Sequence, residues 1–321
     1  MNQRGEALGG PRVTSRAVSL SPAVKAHLQL HLCVILWGFT PIFGRLIPLD
    51  ALALVWWRMV IVAVILFALP GVRHQLRRTP LRITASIAAV GVLLAVSWVL
   101  FYGAIKLSNA SVGAISLAAA PTFLTIIEPV VFRRAPNPRE LLLGLALIPG
   151  MMLIVGGIPS GMYLGLAVGL GSAFCLAGFS IANKHVVDKA GPFLITGEEM
   201  GAGALFLTLL VPFAPHTGAA LPLPDWHAGW LLLLFAIGCT LVPFVLLVRV
   251  LRQVSAFTAQ MATNLEPVYA IVLAIPLLHE QVEVRPLFYV GVVVVIGFVL
   301  LQPLVLRRAR RGAQRTAAGG L

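Results

Sequence analysis

Residues 83–105, ITASIAAVGVLLAVSWVLFYGAI, and residues 110–131, ASVGAISLAAAPTFLTIIEPVV, lie four residues apart and share a single charged side chain, Glu128. Each is long enough to cross the hydrocarbon core of a bilayer as a helix, which takes about 20 largely apolar residues. The link KLSN (106–109) between them is a turn and no more, so the pair reads as two antiparallel membrane helices. Outward from this pair the pattern recurs at 27–46, 51–70, 141–158, 163–186, 193–212, 229–250, 256–278 and 287–306. The sequence therefore predicts an all-α membrane protein with ten transmembrane helices, joined by links too short to hold a further domain.

Composition agrees. Of 321 residues, 59% are apolar and 11% charged, against about 25% charged in soluble domains. A water-soluble enzyme of this size is excluded, because its surface could not be covered. The net charge of +13 would suggest nucleic acid in a soluble protein, but its placement points to lipid. With a cytoplasmic N-terminus, twenty of the 24 Lys and Arg fall on the cytoplasmic side. Arg45, Lys106 and Arg285 lie opposite, and Arg58 lies inside the second span. This asymmetry predicts both termini in the cytoplasm of a multi-pass protein of the inner (plasma) membrane. Residues 1–26 form a cytoplasmic tail with no cleavage signal, and the basic residues 307–321 rest on anionic lipid rather than nucleic acid. Cys33, Cys175 and Cys239 sit inside apolar runs at spacings of neither a metal site nor a disulfide framework.

The two halves repeat. WGFTPIFGR (37–45) matches AGFSIANKH (177–185) at an offset of 140, Pro70 matches Pro212 at 142, and Lys106, Ala110 and Pro121 match Arg252, Ala256 and Pro267 at 146. Repeats of five spans, 27–158 and 163–306, must be inverted relative to each other because five is odd. Inverted halves suit two states that open to opposite sides of a midplane site.

The WGF turn, Arg58 in VWWRM, FYGAIKLSNASVGAISLAAAP and NLEPVYAIVLAIPLLHEQ together resemble the EamA family of the drug/metabolite transporter superfamily, over about residues 27–306. The resemblance implies a ten-helix bundle with a central cavity lined by helices 1, 3, 4, 6, 8 and 9, and transport of small molecules. Glu280 stands thirteen residues after Pro267, as the family has it; at the matching place in the first half stands Arg134.

Charge at membrane depth marks candidate chemistry, because a central acid or base is costly there. Glu266 lies ten residues into span nine, about 15 Å deep. Pro267, lacking an N–H, withdraws a helical donor from the carbonyl of Thr263, and Gln260 and Asn264 share a helix side at i and i+4. These residues read as a substrate or proton site. Trp98, Phe101 and Tyr102 share a face of span three, and Trp37 and Thr40 stand beside the Pro41 break. They could stack on an aromatic or cationic solute. The candidate substrate-binding set is Trp37, Thr40, Trp98, Tyr102, Gln260, Asn264 and Glu266.

Glu128 reads as an interfacial ion pair with Arg133 or Arg134, and Glu198 and Glu199 as acids tolerated at a helix start. Arg58, beside an interfacial Trp56–Trp57 belt, reads as snorkelling along its stem or capping carbonyls. Gly161, Gly165, Gly169, Ala173 and Ala177 form a small-residue stripe for close helix contact. HEQVE (279–283) lacks the second His of a zinc motif. No catalytic residue, metal or cofactor is expected.

The leading expectation is a secondary transporter, an exporter of metabolites, amino acids or drugs, open to proton coupling and either monomeric or homodimeric. The alternatives are an intramembrane enzyme acting on lipid or isoprenoid and a non-transporting membrane partner.

Overall fold

A computed structural model describes residues 22–133, 146–213, 221–251 and 265–298, together with single positions among 135–142 and at 219, 262, 263, 300 and 301. The described residues are helical, with no strand among them. In chain order they form α1 (Pro22–Gly38), α2 (Thr40–Leu46), α3 (Ala51–Ala68), α4 (Pro70–Arg78), α5 (Leu81–Leu107), α6 (Ala110–Leu117) and α7 (Ala120–Val131). These are followed by α8 (Ile148–Gly157), α9 (Tyr163–Lys184), α10 (Pro192–Leu210), α11 (Trp226–Ala236), α12 (Val242–Leu251), α13 (Glu266–Leu278) and α14 (Pro286–Phe298).

Among the described residues seven stretches are long and apolar enough to cross a membrane: 24–46, 51–68, 81–107, 110–131, 160–184, 192–213 and 226–247. Three shorter apolar helices, α8, α13 and α14, fall where the sequence predicts spans five, nine and ten. Most of the rest of those three spans lies outside the described residues, as do Gln260, Asn264, Arg134 and the tail 307–321.

Burial is arranged for an apolar surrounding. Leu28, Val64, Leu164, Leu205, Leu234 and Val293 are exposed, while Arg58, Glu198, Glu199 and Glu280 are buried. Exposed aliphatic side chains around buried charges are what a lipid solvent selects. The chain is thus a multi-pass membrane protein.

Local chemistry sets the helix ends. The side chains of Asp50, Asn109 and Asp225 accept hydrogen bonds from the N–H groups of Ala53, Val112 and Ala228 at 2.8, 2.9 and 2.7 Å, capping α3, α6 and α11. Proline makes the internal breaks. Pro41, without an N–H, separates α1 from α2, and Pro121 separates α6 from α7 within single spans. Between α11 and α12 the chain widens into a π-helical turn, Ile237–Leu241. The link after span two is itself helical: in α4, PGVRHQLRR places Val72 inward and its basic residues outward, making a surface helix.

The small-residue stripe serves close packing against two neighbours. A Cβ at Gly165 would lie 2.7 Å from Ser108 of the α5–α6 turn, and one at Gly169 would lie 2.4 Å from the Ser116 hydroxyl of α6. Ser97 and Ser172 lock α5 to α9 further along, the Ser172 hydroxyl donating to the Ser97 carbonyl at 2.7 Å. Backbone meets backbone where α5 crosses α10: a Cβ at Gly91 would stand 2.3 Å from the Glu199 carbonyl oxygen. Backbone cannot yield there. Gly91→Ala is expected to cost about 1–3 kcal/mol by overpacking and to lower the thermal midpoint in detergent; an unchanged midpoint would show that the crossing is looser than described.

Candidate functional site

The proline breaks border a cavity of about 360 Å³, within the usual size of small-molecule sites. Its wall takes Trp37 and Thr40 from α1 and α2, Arg58 from α3, Ser97, Trp98 and Phe101 from α5, and Ala118 and Pro121 from the α6–α7 break. Phe179, Asn183 and Lys184 come from α9, Thr196 and Glu199 from α10, Phe244 and Leu247 from α12, and Thr263, Glu266 and Pro267 from the start of α13. Spans two and seven thus join the six expected to line it. A nearly all-apolar groove of about 540 Å³ runs beside α7 and α8, past Phe123, Met151 and Met152. It presents no charged group, so the chemistry belongs to the cavity that holds Arg58, Glu199 and Glu266.

Of the candidate residues, Trp37, Thr40, Trp98 and Glu266 stand on this wall. Trp37 and Trp98 both meet the Phe244 ring edge-on, at 6.0 Å between ring centres. Glu266, in the first turn of α13, is partly exposed. Tyr102 is fully buried and stands behind the wall rather than on it. Gln260 and Asn264 lie outside the described residues.

Of the two readings of Arg58, the structure favours the one in which it caps a carbonyl. It does not snorkel to the surface: it is 1% exposed, with its guanidinium carbon 3.8 Å from the centre of the Trp98 ring and 4.3 Å from that of Phe235. Its Nε donates to the Thr240 hydroxyl, Nη1 to the Tyr102 hydroxyl at 2.6 Å and Nη2 to the Cys239 carbonyl at 3.3 Å. The π-turn explains the placement, because its irregular hydrogen bonding leaves acceptors such as the Cys239 carbonyl open to a side chain. Two aromatic faces and three neutral acceptors hold the cation, and it forms no ion pair among the described residues.

Of the two partners expected for Glu128, one is corrected and the other is not described. Arg133 forms no ion pair with it, and Arg134 lies outside the described residues. The Trp56 and Trp57 indoles each find an acceptor, the Thr208 hydroxyl at 2.7 Å and the Pro222 carbonyl at 3.0 Å.

A second polar cluster closes one end of the bundle. Glu280 is fully buried, and its two carboxylate oxygens accept from the N–H groups of Ala110 and Ser111 at 2.7 and 2.8 Å. A carboxylate there meets unsatisfied N–H groups and the positive end of α6. Glu283 accepts from the Asn109 side chain at 3.1 Å and pairs with Arg45 at 3.3 Å. Lys106 donates to the Ile47 carbonyl at 2.7 Å, and the Arg285 N–H to the Gly157 carbonyl at 2.8 Å. The 279–285 turn is thereby tied to the ends of α2, α6 and α8. Among the described residues no group of His, Cys, Asp and Glu is placed to hold a metal ion, and the three cysteines are free.

The model of the EamA-like transporter family matches residues 24–156 and again residues 163–303. The chain belongs to this family, in the drug/metabolite transporter superfamily, and carries two copies of its repeat. A solved crystal structure superposes with a TM-score of 0.57 at 13% identity, over 88% of this chain and 99% of the other, a likeness of fold alone. No curated protein matches the chain in sequence.

Proposed function

We propose that the protein is a secondary transporter that exports small organic solutes by alternating access. In this reading ten spans form two inverted five-helix repeats, 27–158 and 163–306, in the plasma (inner) membrane with both termini cytoplasmic. The observation that carries it is the cavity: a chamber of about 360 Å³ with Arg58, Glu199 and Glu266 on its wall, built from helices of both family repeats. A structural membrane protein has no need of charges around an internal space at this depth.

With the termini inside, Lys184, exposed at the end of α9, marks the cytoplasmic end of the cavity. The Glu280–Glu283–Arg45 cluster then seals the opposite, outer end. Trp37, Thr40, Trp98 and Glu266 contact the solute, with Gln260 and Asn264 of span nine as further candidates. The aromatic walls suit a solute with an apolar or aromatic body, and Glu266 suits a cationic nitrogen on it.

Purified protein in liposomes loaded with one member of a panel of amino acids, aromatic amines and amphiphilic drugs tests the reading. Counterflow of the labelled member, without any new covalent product, is expected. Conversion of a lipid or isoprenoid without counterflow would replace transport with enzymology.

A further inference from the structure

Glu199 has no assigned task in the reading above. It sits one helical turn after Thr196, and both side chains line the cavity. The residue is 1% exposed, and its Oε1 is sealed with no hydrogen-bond partner. The close crossing at Gly91 fixes the backbone beneath it. Its neighbour Glu198 also has one sealed oxygen without a partner, but its other oxygen accepts from the Thr84 hydroxyl at 3.0 Å and it does not line the cavity.

The helices packed against α10 bring Glu199 no counter-charge among the described residues. On α3 the charge is Arg58, held by Thr240, Tyr102 and Cys239. On α5 Arg82 is exposed at one end, and Lys106 at the other is bound to the Ile47 carbonyl. On α4 Arg73, His74, Arg77 and Arg78 are exposed, as is Lys184 on α9. The side chain of Arg249 on α12 lies outside the described residues. Glu266 shares the cavity and carries the same sign.

An ionised carboxylate left buried without a partner is strongly unfavourable, so a cation must visit it. Burial decides which cation. A group 1% exposed admits a proton but not an ammonium group on a carbon skeleton, whereas the partly exposed Glu266 can meet one.

We propose that Glu199 is the proton-carrying site of the transport cycle, separate from the solute-contacting Glu266. When water enters the cavity, a hydronium ion gives its proton to the Glu199 carboxylate and leaves as water; the reverse transfer follows when the cavity opens to the other side. The proposal rests on the transport reading.

The test is infrared difference spectroscopy on the full chain in liposomes, titrated between about pH 6 and about pH 9, a window that holds the protonated carboxyl of a buried acid apart from exposed ones. A protonated-carboxyl band that disappears as pH rises is expected in the wild type and in Glu198→Gln, and is lost in Glu199→Gln. Glu199→Asp covers the case in which glutamine prevents folding, because its band should move rather than vanish. A band unchanged by both Glu199 variants overturns the assignment. In the same liposomes an imposed proton gradient should accelerate efflux of the panel solute in the wild type but not in Glu199→Gln. Efflux by Glu199→Gln that follows the gradient as the wild type does overturns the assignment. Absence of counterflow from the wild type with every panel member would instead remove the transport reading itself, whatever the spectra show.

Discussion

Glu266→Gln is expected to reach the membrane in wild-type amount and to lose solute affinity on the order of thirtyfold. The variant keeps the volume and one acceptor, so the cavity between Thr263, Pro267 and Trp37 should hold its shape. What it loses is the charge that faces a cationic nitrogen in a space with little water. Removing one partner of such a pair costs about 2 kcal/mol or more, and each 1.4 kcal/mol is about tenfold in affinity. The measurement is counterflow in liposomes as a function of solute concentration. Wild-type affinity in Glu266→Gln would assign this carboxylate to the scaffold, and loss of folded protein would do the same.

Glu280→Gln should have the second large effect, in the opposite direction. The carboxylate accepts two backbone N–H groups at the start of α6, and an amide can accept only one of them while turning its own N–H₂ toward the other. The buried donor left behind costs about 2–3 kcal/mol. If the cluster seals the outer end, that energy is removed from the sealed state, and the balance between the two states moves toward the outward-open one by on the order of a hundredfold. Glu283→Ala, which breaks the part-exposed pair with Arg45 and the hydrogen bond from the Asn109 side chain, should move it less, because exposed ion pairs contribute about 1 kcal/mol or less and the backbone N–H groups held by Glu280 keep their acceptor.

The parts of this account that could be read along the chain are those set by a single helix. Apolar runs locate the spans, Asn109 and Asp225 announce helix starts, and Pro41, Pro121 and Pro267 announce the breaks that frame the cavity. Trp37, Thr40, Trp98 and Glu266 were within reach because each lies at or beside such a break or on one helix face. What depends on two helices at once was hidden. Arg58 looks interfacial on α3 alone; its buried position depends on a π-turn 182 residues away offering the Thr240 hydroxyl, and nothing in the IGCTL sequence marks that turn.

Tyr102 shares a face with Trp98, yet only Trp98 reaches the wall, because the Tyr102 hydroxyl is taken by Arg58. Glu280 was recognisable as a family feature, but its docking on N–H groups 170 and 169 residues away cannot be inferred from spacing. Glu199 was read as an acid tolerated at a helix start because a sequence does not show which carboxylate lacks a partner. The small-residue stripe on α9 was the exception among tertiary features, since glycine at every fourth position states directly that another helix must come close.

Alternating access around this cavity is tested most directly by a single cysteine at Thr40, on the cavity wall, in a chain freed of Cys33, Cys175 and Cys239. A membrane-impermeant thiol reagent is applied to one face of the membrane at a time. The account predicts reaction from the cytoplasmic face when Glu280 is intact and from the outer face when Glu280→Gln is added. Reaction from the same face in both proteins, or from neither, would contradict it.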